Sequence, residues 1–272
     1  LTLPRAQTAR SVVVVGGGPA GLKAALTAAQ RGHQVTLVEQ SGALGGLMIP
    51  ASVGAFKEDL RRYLSYLRRQ VEKSQIHVML HTCADRALLE HLHPDAVILA
   101  VGGRTVMPPV PGLGTSGAVQ AVALLNAGLE TAGTRVTILG GGSIGCELAL
   151  ELAALDRMVT VVELRDKLAA NGNELYRQDL MLHLEQETRI TILTQTVCTG
   201  VTAQGCTVRE KDGGTRVIPH DTFVIAAGLR ADADAVEALY GVVPETYYVG
   251  DCKRAASITE ATTEAYFLGA SL

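Results

Sequence analysis

Closely spaced cysteines are absent from this chain. Its 272 residues include five cysteines, and no two of them form a C-x-x-C or a similarly close pair. A redox dithiol of the kind that disulfide reductases carry is therefore not expected. Cysteines without paired spacing are typical of proteins in a reducing compartment, so we expect a cytoplasmic protein. The five stand at Cys83, Cys146, Cys198, Cys206 and Cys252.

Long apolar runs and a strong excess of either charge are also absent. No apolar run approaches the roughly 18 residues that a membrane-spanning helix needs, and no signal-peptide pattern opens the chain. The formal net charge is −3 and the sequence pI is about 6.2, which gives no electrostatic reason to expect nucleic acid or an acidic membrane as partner. Association into a homo-oligomer is left open.

The sequence shows no evident catalytic or metal-binding set of side chains. The seven histidines show no metal-ligand spacing, and His91-Leu92-His93-Pro94 is more typical of a surface turn than of a zinc site. No nucleophile–base pair and no acid–base pair stands out. We therefore predict no metal site and no catalytic side chain, and expect a bound cofactor to supply the chemistry.

Glycine, by contrast, is concentrated in a pattern that runs from Val12 as strand, glycine turn, helix, strand and acid. In a dinucleotide site Gly16 makes the tight turn, Gly18 lets the backbone approach a pyrophosphate, and Gly21 allows close helix packing. The helix start offers N–H groups to phosphates, and Glu39 accepts hydrogen bonds from a ribose diol. Pro19, Ala20 and Gln40 complete this predicted site.

The same pattern occurs a second time. The stretch from Val136 leads through a glycine turn and an apolar helical run to a strand that ends in an acid, and 124 residues separate each turn glycine and each acid from its counterpart. Two matched units predict two dinucleotide sites. The second site is predicted at Gly140, Gly142, Ser143, Ile144, Gly145 and Glu163.

Other stretches are candidates for contacts with the same ligands. The strand from Asp95 to Arg104 resembles the one from Asp221 to Arg230, and each ends in small residues where a ligand or a chain crossing would fit. The glycine loop 41–47 would lie against a flavin or its phosphates, or serve as a flexible connector. Residues 82–84 would pass the adenine end of a cofactor. These stretches add Gly46, Leu47, Cys83, Ala84, Ala100, Gly102 and Gly228 to the predicted site residues.

Three further features allow two interpretations each. The helix predicted between Phe56 and Lys73 carries Arg61, Arg62, Arg68 and Arg69, which would form a docking face, although a solvated helix side is the commoner explanation. A thiolate would be favoured at Cys146, near a helix start, but its place in the fingerprint favours packing. Cys198 and Cys206 would meet across strands, with a buried structural role preferred.

The fold class expected is α/β, with two Rossmann-like three-layer dinucleotide-binding domains. An apolar fraction of 47% is enough for a sizeable core, and the length suits two domains. A lead-in that starts at Leu1 without a methionine predicts a fragment or a processed product.

The chain combines two glycine fingerprints, a strand that ends in Gly-Asp and a closing helix. Together these features resemble the pattern of the two-dinucleotide-binding flavoprotein superfamily, to which thioredoxin reductase belongs. Within it the chain looks like the C-terminal FAD/NAD(P)-binding part of the 2-enoate reductase and 2,4-dienoyl-CoA reductase family, NADH:flavin oxidoreductases fused to an Old Yellow Enzyme-like barrel. The resemblance covers essentially the whole chain. It is carried by residues 13–22, Gly45-Gly46, residues 159–163 and residues 249–252.

The resemblance implies FAD at the first site and a nicotinamide dinucleotide at the second. It also implies that the second domain is inserted in the first, with residues 1–114 plus 236–272 as the FAD-binding domain and 115–235 as the NAD(H)-binding domain. The first fingerprint would hold the ADP half of FAD, Asp251 after Gly250 would bind the ribityl chain, and Ile258 would lie near the flavin ring. An acid at Glu163 would repel a 2′-phosphate, which favours NADH over NADPH, although Arg165 weakens that preference.

The implied function is an NADH oxidoreductase module that passes hydride to FAD and electrons onward to an Fe–S/FMN barrel missing from this chain, where an enoate or enoyl-CoA type substrate is reduced. Two alternatives remain: a catalytically silent ADP-binding scaffold, as in trimethylamine dehydrogenase, and a free-standing NADH:acceptor reductase. The chain departs from the family in having Leu47 where a glutamine often follows the paired glycines. It also has no cysteine directly after Gly46, the position at which a single-cysteine peroxidase of the superfamily carries one.

Overall fold

The computed structural model describes residues 3–170 and 172–272. It divides into two compact units, each with its own core. Unit 1 takes the described part of Leu1–Ser52 together with Lys57–Arg104 and Leu229–Leu272, and unit 2 takes Val53–Phe56 and the described part of Thr105–Gly228. The fold is α/β, and most of the second unit is inserted in the sequence of the first.

Strands and helices alternate along the chain. The strands are β1 (Ser11–Val15), β2 (Gln34–Val38), β3 (His77–Met79), β4 (Ala96–Leu99), β5 (Gly103–Thr105), β6 (Val119–Gln120), β7 (Arg135–Leu139), β8 (Met158–Val162), β9 (Ile190–Leu193), β10 (Val197–Val201), β11 (Gly205–Arg209), β12 (Thr215–Pro219), β13 (Thr222–Ile225), β14 (Leu229–Ala231) and β15 (Thr246–Tyr248). The helices are α1 (Pro19–Gln30), α2 (Met48–Ala51), α3 (Glu58–Glu72), α4 (Arg86–Leu92), α5 (Ala121–Ala127), α6 (Ser143–Ala154), α7 (Glu174–Gln186), α8 (Ala233–Glu237) and α9 (Ile258–Ser271). Leu129–Thr131 and Gly250–Cys252 form short 3-10 turns.

Unit 1 is built on a five-stranded sheet in the order β15-β4-β1-β2-β3, with every pair parallel. The run of valines in β1 is buried on both faces, as the strands of parallel sheets usually are. Val12 and Val14 pack with residues of α1, α3 and α9, and Val13 and Val15 pack with Leu89 of α4 on the other face. The carboxyl ends of these strands therefore meet at one edge of a three-layer unit.

Unit 2 is also built on a five-stranded parallel sheet, but within the described residues one face of this sheet packs on a second sheet and not on a helix. Its parallel sheet has the order β6-β13-β7-β8-β9. One face, with Val136 and Ile138, packs with residues of α5, α6 and α7. The other face, with Phe223 and Ile225, packs on the antiparallel sheet β10-β11-β12.

The units change over earlier in the chain than the positions 114/115 and 235/236 that the sequence analysis proposed. The first change falls after Arg104, inside β5, and the second falls before Leu229, where β14 begins. These two strands pair with each other. This pairing joins residues more than 120 positions apart, so local sequence patterns do not reveal it. The crossover prolines and the polar connector, which suggested the later boundaries, lie beyond these strands.

The amphipathic helix α3 illustrates how the helices are used. It buries Leu64, Leu67 and Val71 in the core of unit 1. One arginine pair, 61–62, precedes these apolar positions, and the other, 68–69, lies between the last two of them. Across the described ranges of the chain, no helix is long and apolar enough to cross a membrane.

Candidate functional site

The first glycine turn sits at the carboxyl end of β1 and leaves no room for side chains at two of its glycines. Gly16 has φ +105°, and a Cβ there would lie 2.3 Å from the carbonyl oxygen of Ala100. A Cβ on Gly21 would lie 1.8 Å from the carbonyl oxygen of Gly16. At Gly18, by contrast, no heavy atom of the described chain comes within 4 Å of the position a Cβ would take. The turn is thus closed on the protein side and open on the other.

The helix that follows the turn begins without a side-chain cap. Pro19 occupies the first helical positions of α1, and within the described residues no side chain accepts a hydrogen bond at the Gly18 cap. The start of α6 at Gly142 is likewise uncapped in that part of the chain. Four other helices do have capping side chains, at Asp85, Asn173, Asp232 and Ser257. The two glycine-turn helices therefore keep N–H groups available for an anionic ligand.

The carboxylate of Glu39 ties the turn to the loop after β2. Only 7% of Glu39 is exposed. One carboxylate oxygen accepts a hydrogen bond from the N–H of Gly17 at 2.6 Å, and the other accepts one from the N–H of Ser41 at 2.7 Å. Glu39, the predicted ribose-binding acid, thus links the main chain of the glycine turn to the main chain of the loop after β2.

The glycine loop 41–47 lies against the fingerprint turn and is not a free connector. The N–H of Gly45 donates to the carbonyl of Gly17 at 2.7 Å, and a Cβ on Gly46 would lie 3.0 Å from the Cα of Gly18. Leu47 is half-buried. The paired glycines are therefore needed for a close backbone approach to the open side of the turn.

The neighbouring strand ends complete this edge of the sheet. The N–H of Thr82 donates to the carbonyl of Glu39 at 2.9 Å, which places residues 82–84 beside the acid. Gln40 and Cys83 are exposed, and Ala84 is half-buried. After β4, Gly102 has φ +79° with open space around its Cβ position in the described chain.

The Gly-Asp strand end reaches the same place from the C-terminal segment. A Cβ on Gly250 would lie 2.9 Å from the Cβ of Ala20, so this turn packs directly on the start of α1. Asp251 accepts a hydrogen bond from the N–H of Ala256 at 3.2 Å, and burial raises its pKa. Ile258 is the half-buried first residue of α9. The start of α9 carries a Ser257–Glu260 capping box.

The second glycine turn reproduces the first at the carboxyl end of β7. Gly140 has φ +113°, and its Cβ would lie 2.5 Å from the carbonyl oxygen of Ala226. A Cβ on Gly145 would lie 2.0 Å from the carbonyl oxygen of Gly140. Gly142 and Gly228 both face open space in the described chain. The fold therefore repeats both the closed and the open side of the turn.

The acid of unit 2 is held in the same way as that of unit 1. Glu163 accepts hydrogen bonds from the N–H of Gly141 at 2.6 Å and from the N–H of Arg165 at 2.8 Å. The N–H of Ala169 donates to the carbonyl of Gly141 at 2.8 Å, and the N–H of Thr196 donates to the carbonyl of Glu163 at 3.0 Å. Glu163 itself and Ser143 are half-buried, and Ile144 is exposed.

The structure thus assembles the predicted residues as two sets, each inside its own unit. The 124-residue register also extends to residues that the sequence analysis overlooked. Leu44 and Leu168 are counterparts, and each lies against the second glycine of its turn, Gly17 and Gly141 respectively. Extending the register beyond the fingerprints would have found them.

Four of the five cysteines are buried. Cys146 is fully buried, and burial raises the pKa of its thiol to about 12. Cys198 and Cys206 do meet across β10 and β11, and the hydrogen bond from Cys206 lowers the pKa of Cys198. All five cysteines are free thiols in the described chain. Within the described residues, no group of three or more His, Cys, Asp and Glu side chains could hold a metal ion.

Comparisons with known proteins agree with this duplicated geometry. The family described as pyridine nucleotide-disulphide oxidoreductase matches residues 10–265. Bilirubin reductase of Mediterraneibacter gnavus is 34% identical over 266 residues, which make up 97% of this chain and 41% of that protein. Cinnamate reductase of Clostridium sporogenes is 29% identical over 266 residues, or 97% of this chain and 39% of that protein.

A solved structure of 2-naphthoyl-CoA reductase with 2-naphthoyl-CoA matches this chain with a TM-score of 0.94 and 25% identity. The match covers 99% of this chain and 41% of that one. The chain therefore spans about two fifths of the length of the relatives that it matches.

Proposed function

Because the chain belongs to the pyridine nucleotide-disulphide oxidoreductase family, we propose that it is the FAD-dependent, NADH-oxidising module of an enoate or enoyl-CoA type reductase. In this proposal an Fe–S/FMN barrel outside this chain completes the enzyme. The observation that carries the proposal is the duplicated turn: two uncapped helix starts, each beside an open glycine and a hydrogen-bonded acid. Two such sites fit two dinucleotides.

The residues of unit 1 fit the ADP half of FAD. The open side at Gly18 and the uncapped start of α1 suit a pyrophosphate, which needs N–H donors and close backbone approach. Glu39 stands at the end of β2 as the acceptor for a ribose hydroxyl, and Asp251 is the acceptor for the ribityl chain. When bound, FAD would supply the hydride acceptor and pass electrons toward the barrel.

The residues of unit 2 fit a nicotinamide dinucleotide without a 2′-phosphate. Glu163 presents a carboxylate where the adenosine ribose would lie, and a phosphate there would face like charge. The main-chain N–H of Arg165 is engaged by Glu163, and its side chain is exposed. We therefore propose NADH as the preferred donor.

The substrate class is proposed from the relatives. Cinnamate reductase and 2-naphthoyl-CoA reductase are named for substrates with a double bond or ring beside a carboxylate or its CoA thioester. In each case the shared part is about two fifths of the relative. The remainder of such an enzyme would bind the substrate, while the part represented by this chain would supply electrons.

An anaerobic absorbance titration tests the proposal. The purified chain, supplied with FAD if it is colourless, should show a flavin band that bleaches when NADH is added. Bound flavin that NADH does not bleach would overturn the assignment of unit 2. Failure to bind FAD even in excess would favour the ADP-holding scaffold, and rapid turnover of a small acceptor by this chain alone would favour a free-standing reductase.

A further inference from the structure

One arginine of α3 reaches back to the loop that closes on the first glycine turn. The guanidinium of Arg68 is half-buried and donates to the carbonyl oxygen of Leu44, from Nε at 2.8 Å and from Nη2 at 2.5 Å. The next residue, Gly45, donates its N–H to Gly17. Two N–H groups of one planar cation thus fix a single carbonyl beside the fingerprint.

Unit 2 builds the same contact from a different helix position. The Nε of Arg177, on α7, donates to the carbonyl oxygen of Leu168 at 3.0 Å. Leu168 is the counterpart of Leu44, and the next residue, Ala169, donates its N–H to Gly141. The arginine is 9 residues from its leucine in unit 2 and 24 residues in unit 1. Because these separations differ, the two arginines are not counterparts in the 124-residue register. The same contact is therefore made at both sites from different positions in the sequence.

We infer that Arg68 and Arg177 are positioning residues, each of which holds the loop that closes its dinucleotide site. This inference rests on the proposed function for the identity of the ligands. The carbonyl that each arginine binds belongs to the residue just before the N–H that closes on the glycine turn. Releasing that carbonyl frees the loop to move away from the pyrophosphate side of the turn, so ligand affinity should fall.

Other charges near these arginines do not replace this role. On the surface around Arg68, the same helix carries Glu58 and Glu72 as well as Arg69. Arg177 also pairs with Glu174 at 3.5 Å, and that carboxylate is largely exposed. An exposed pair of this kind contributes little, whereas the carbonyl contact binds a buried segment, since Leu168 and Ala169 are both buried.

Hydrogen exchange of the ligand-free chain tests the inference directly. In Arg68→Ala the amide of Gly45 should exchange about tenfold faster, and in Arg177→Ala the amide of Ala169 should do so, because a charged hydrogen bond of about 1.4 kcal/mol is a factor of ten. Each variant should leave the amide in the other unit unchanged. Arg69→Ala and Arg209→Ala remove exposed arginines from the same two units and serve as controls.

Ligand titrations give the second readout. Arg68→Ala should weaken FAD binding about tenfold, measured by flavin fluorescence, without changing the Kd for NADH. Arg177→Ala should raise the Kd for NADH about tenfold while FAD is retained. Arg68→Lys and Arg177→Lys keep one donor and should recover part of the loss, and they stay informative if an alanine variant does not fold.

Two results would overturn the inference: exchange at Gly45 and Ala169 that matches the controls, or affinities within twofold of the controls. Failure of the wild-type chain to bind FAD or NADH would instead count against the proposed function. The exchange measurement would still decide whether the arginines hold the loops.

Discussion

The main-chain N–H of Gly17 lies 2.6 Å from a carboxylate oxygen of Glu39, and this contact joins the glycine turn to the end of the neighbouring strand. Glu39, which would accept hydrogen bonds from a ribose, therefore also stabilises the conformation of the turn. Its loss should affect folding and binding together, and the two effects have to be measured separately.

Glu39→Ala should destabilise the ligand-free chain by about 2 kcal/mol, because the buried N–H of Gly17 loses a charged acceptor and the exposed Ser41 loses one that water can partly replace. Urea unfolding of the FAD-free protein measures this loss. FAD retention should fall as well. An unfolding free energy equal to that of wild type would contradict the structural role of the carboxylate.

Glu163→Ala should have a smaller effect on folding and a clear effect on the nucleotide. Because Glu163 is half-buried, water can replace part of its hydrogen bonding, and we expect a loss of about 1 kcal/mol. The KM for NADH should rise at least tenfold with a smaller change in kcat. Glu185→Ala removes an exposed acid from the same unit and should behave like wild type. Equal KM values for the two variants would refute the assignment of the second site.

Alanine at the open glycines separates ligand binding from folding. Gly18 and Gly142 have φ of −72° and −67°, and a Cβ there meets no described atom within 4 Å. Gly18→Ala should therefore fold normally, with a thermal midpoint near that of wild type, but bind FAD at least tenfold more weakly. Gly142→Ala should do the same for NADH. Unchanged affinities would show that the ligands do not approach these turns.

Gly16→Ala is the contrasting variant. Its Cβ would collide with the carbonyl of Ala100, and the positive φ disfavours any side chain. We expect a loss of several kcal/mol of stability before any ligand is considered. Thermal unfolding of the ligand-free variants should rank Gly16→Ala well below Gly18→Ala, and the opposite order would contradict the described turn.

Thiol labelling should find one fast cysteine. Cys83 is exposed, whereas Cys146, Cys198, Cys206 and Cys252 are buried. Ellman's reagent should titrate one thiol quickly in native buffer and all five in denaturant, and Cys83→Ser should abolish the fast phase. Prior reduction by NADH should reveal no further thiols, since the described cysteines are free. Two new thiols after reduction would show a redox disulfide that this structure does not contain.

Stability should fall toward acidic pH in part because of His220. This side chain is buried, and burial lowers its pKa below the usual 6.5. The unfolded chain then binds a proton at a higher pH than the folded chain, so stability is full above about pH 6.5 and is lost as the pH falls below it. His220→Gln should show a shallower decline in urea unfolding between about pH 7 and pH 5. Parallel curves for the two proteins would exclude this contribution.

The sequence predicted the two glycine turns well because each depends on short-range geometry. Gly16 and Gly140 need positive φ, and Glu39 and Glu163 follow at a fixed distance, so the spacing alone locates them. The α/β fold followed from the same duplicated pattern, whereas the family and the inserted second unit were predicted from the resemblance to known flavoproteins.

Contacts between distant segments were harder to predict. The arginines of α3 appeared as a docking face or a solvated side, yet Arg68 and Arg61 are half-buried and donate to the carbonyls of Leu44 and Ser52. Helical periodicity gives the face on which a residue lies but not the carbonyl that its side chain reaches. The pairing of β5 with β14, where the units change over, likewise has no local signal in the sequence.

The starts of α1 and α6, which no described side chain caps, bear on the lifetime of the protein in a cell. Under the proposed function, a nucleotide that filled these helix ends would bind the folded chain and not the unfolded one. Its supply would then add directly to stability, by about 2.7 kcal/mol at a hundred times its Kd. The cofactor would thus act as a folding ligand as well as a reagent. When flavin is scarce, the chain should be degraded faster, and its abundance should follow the availability of the molecules it uses.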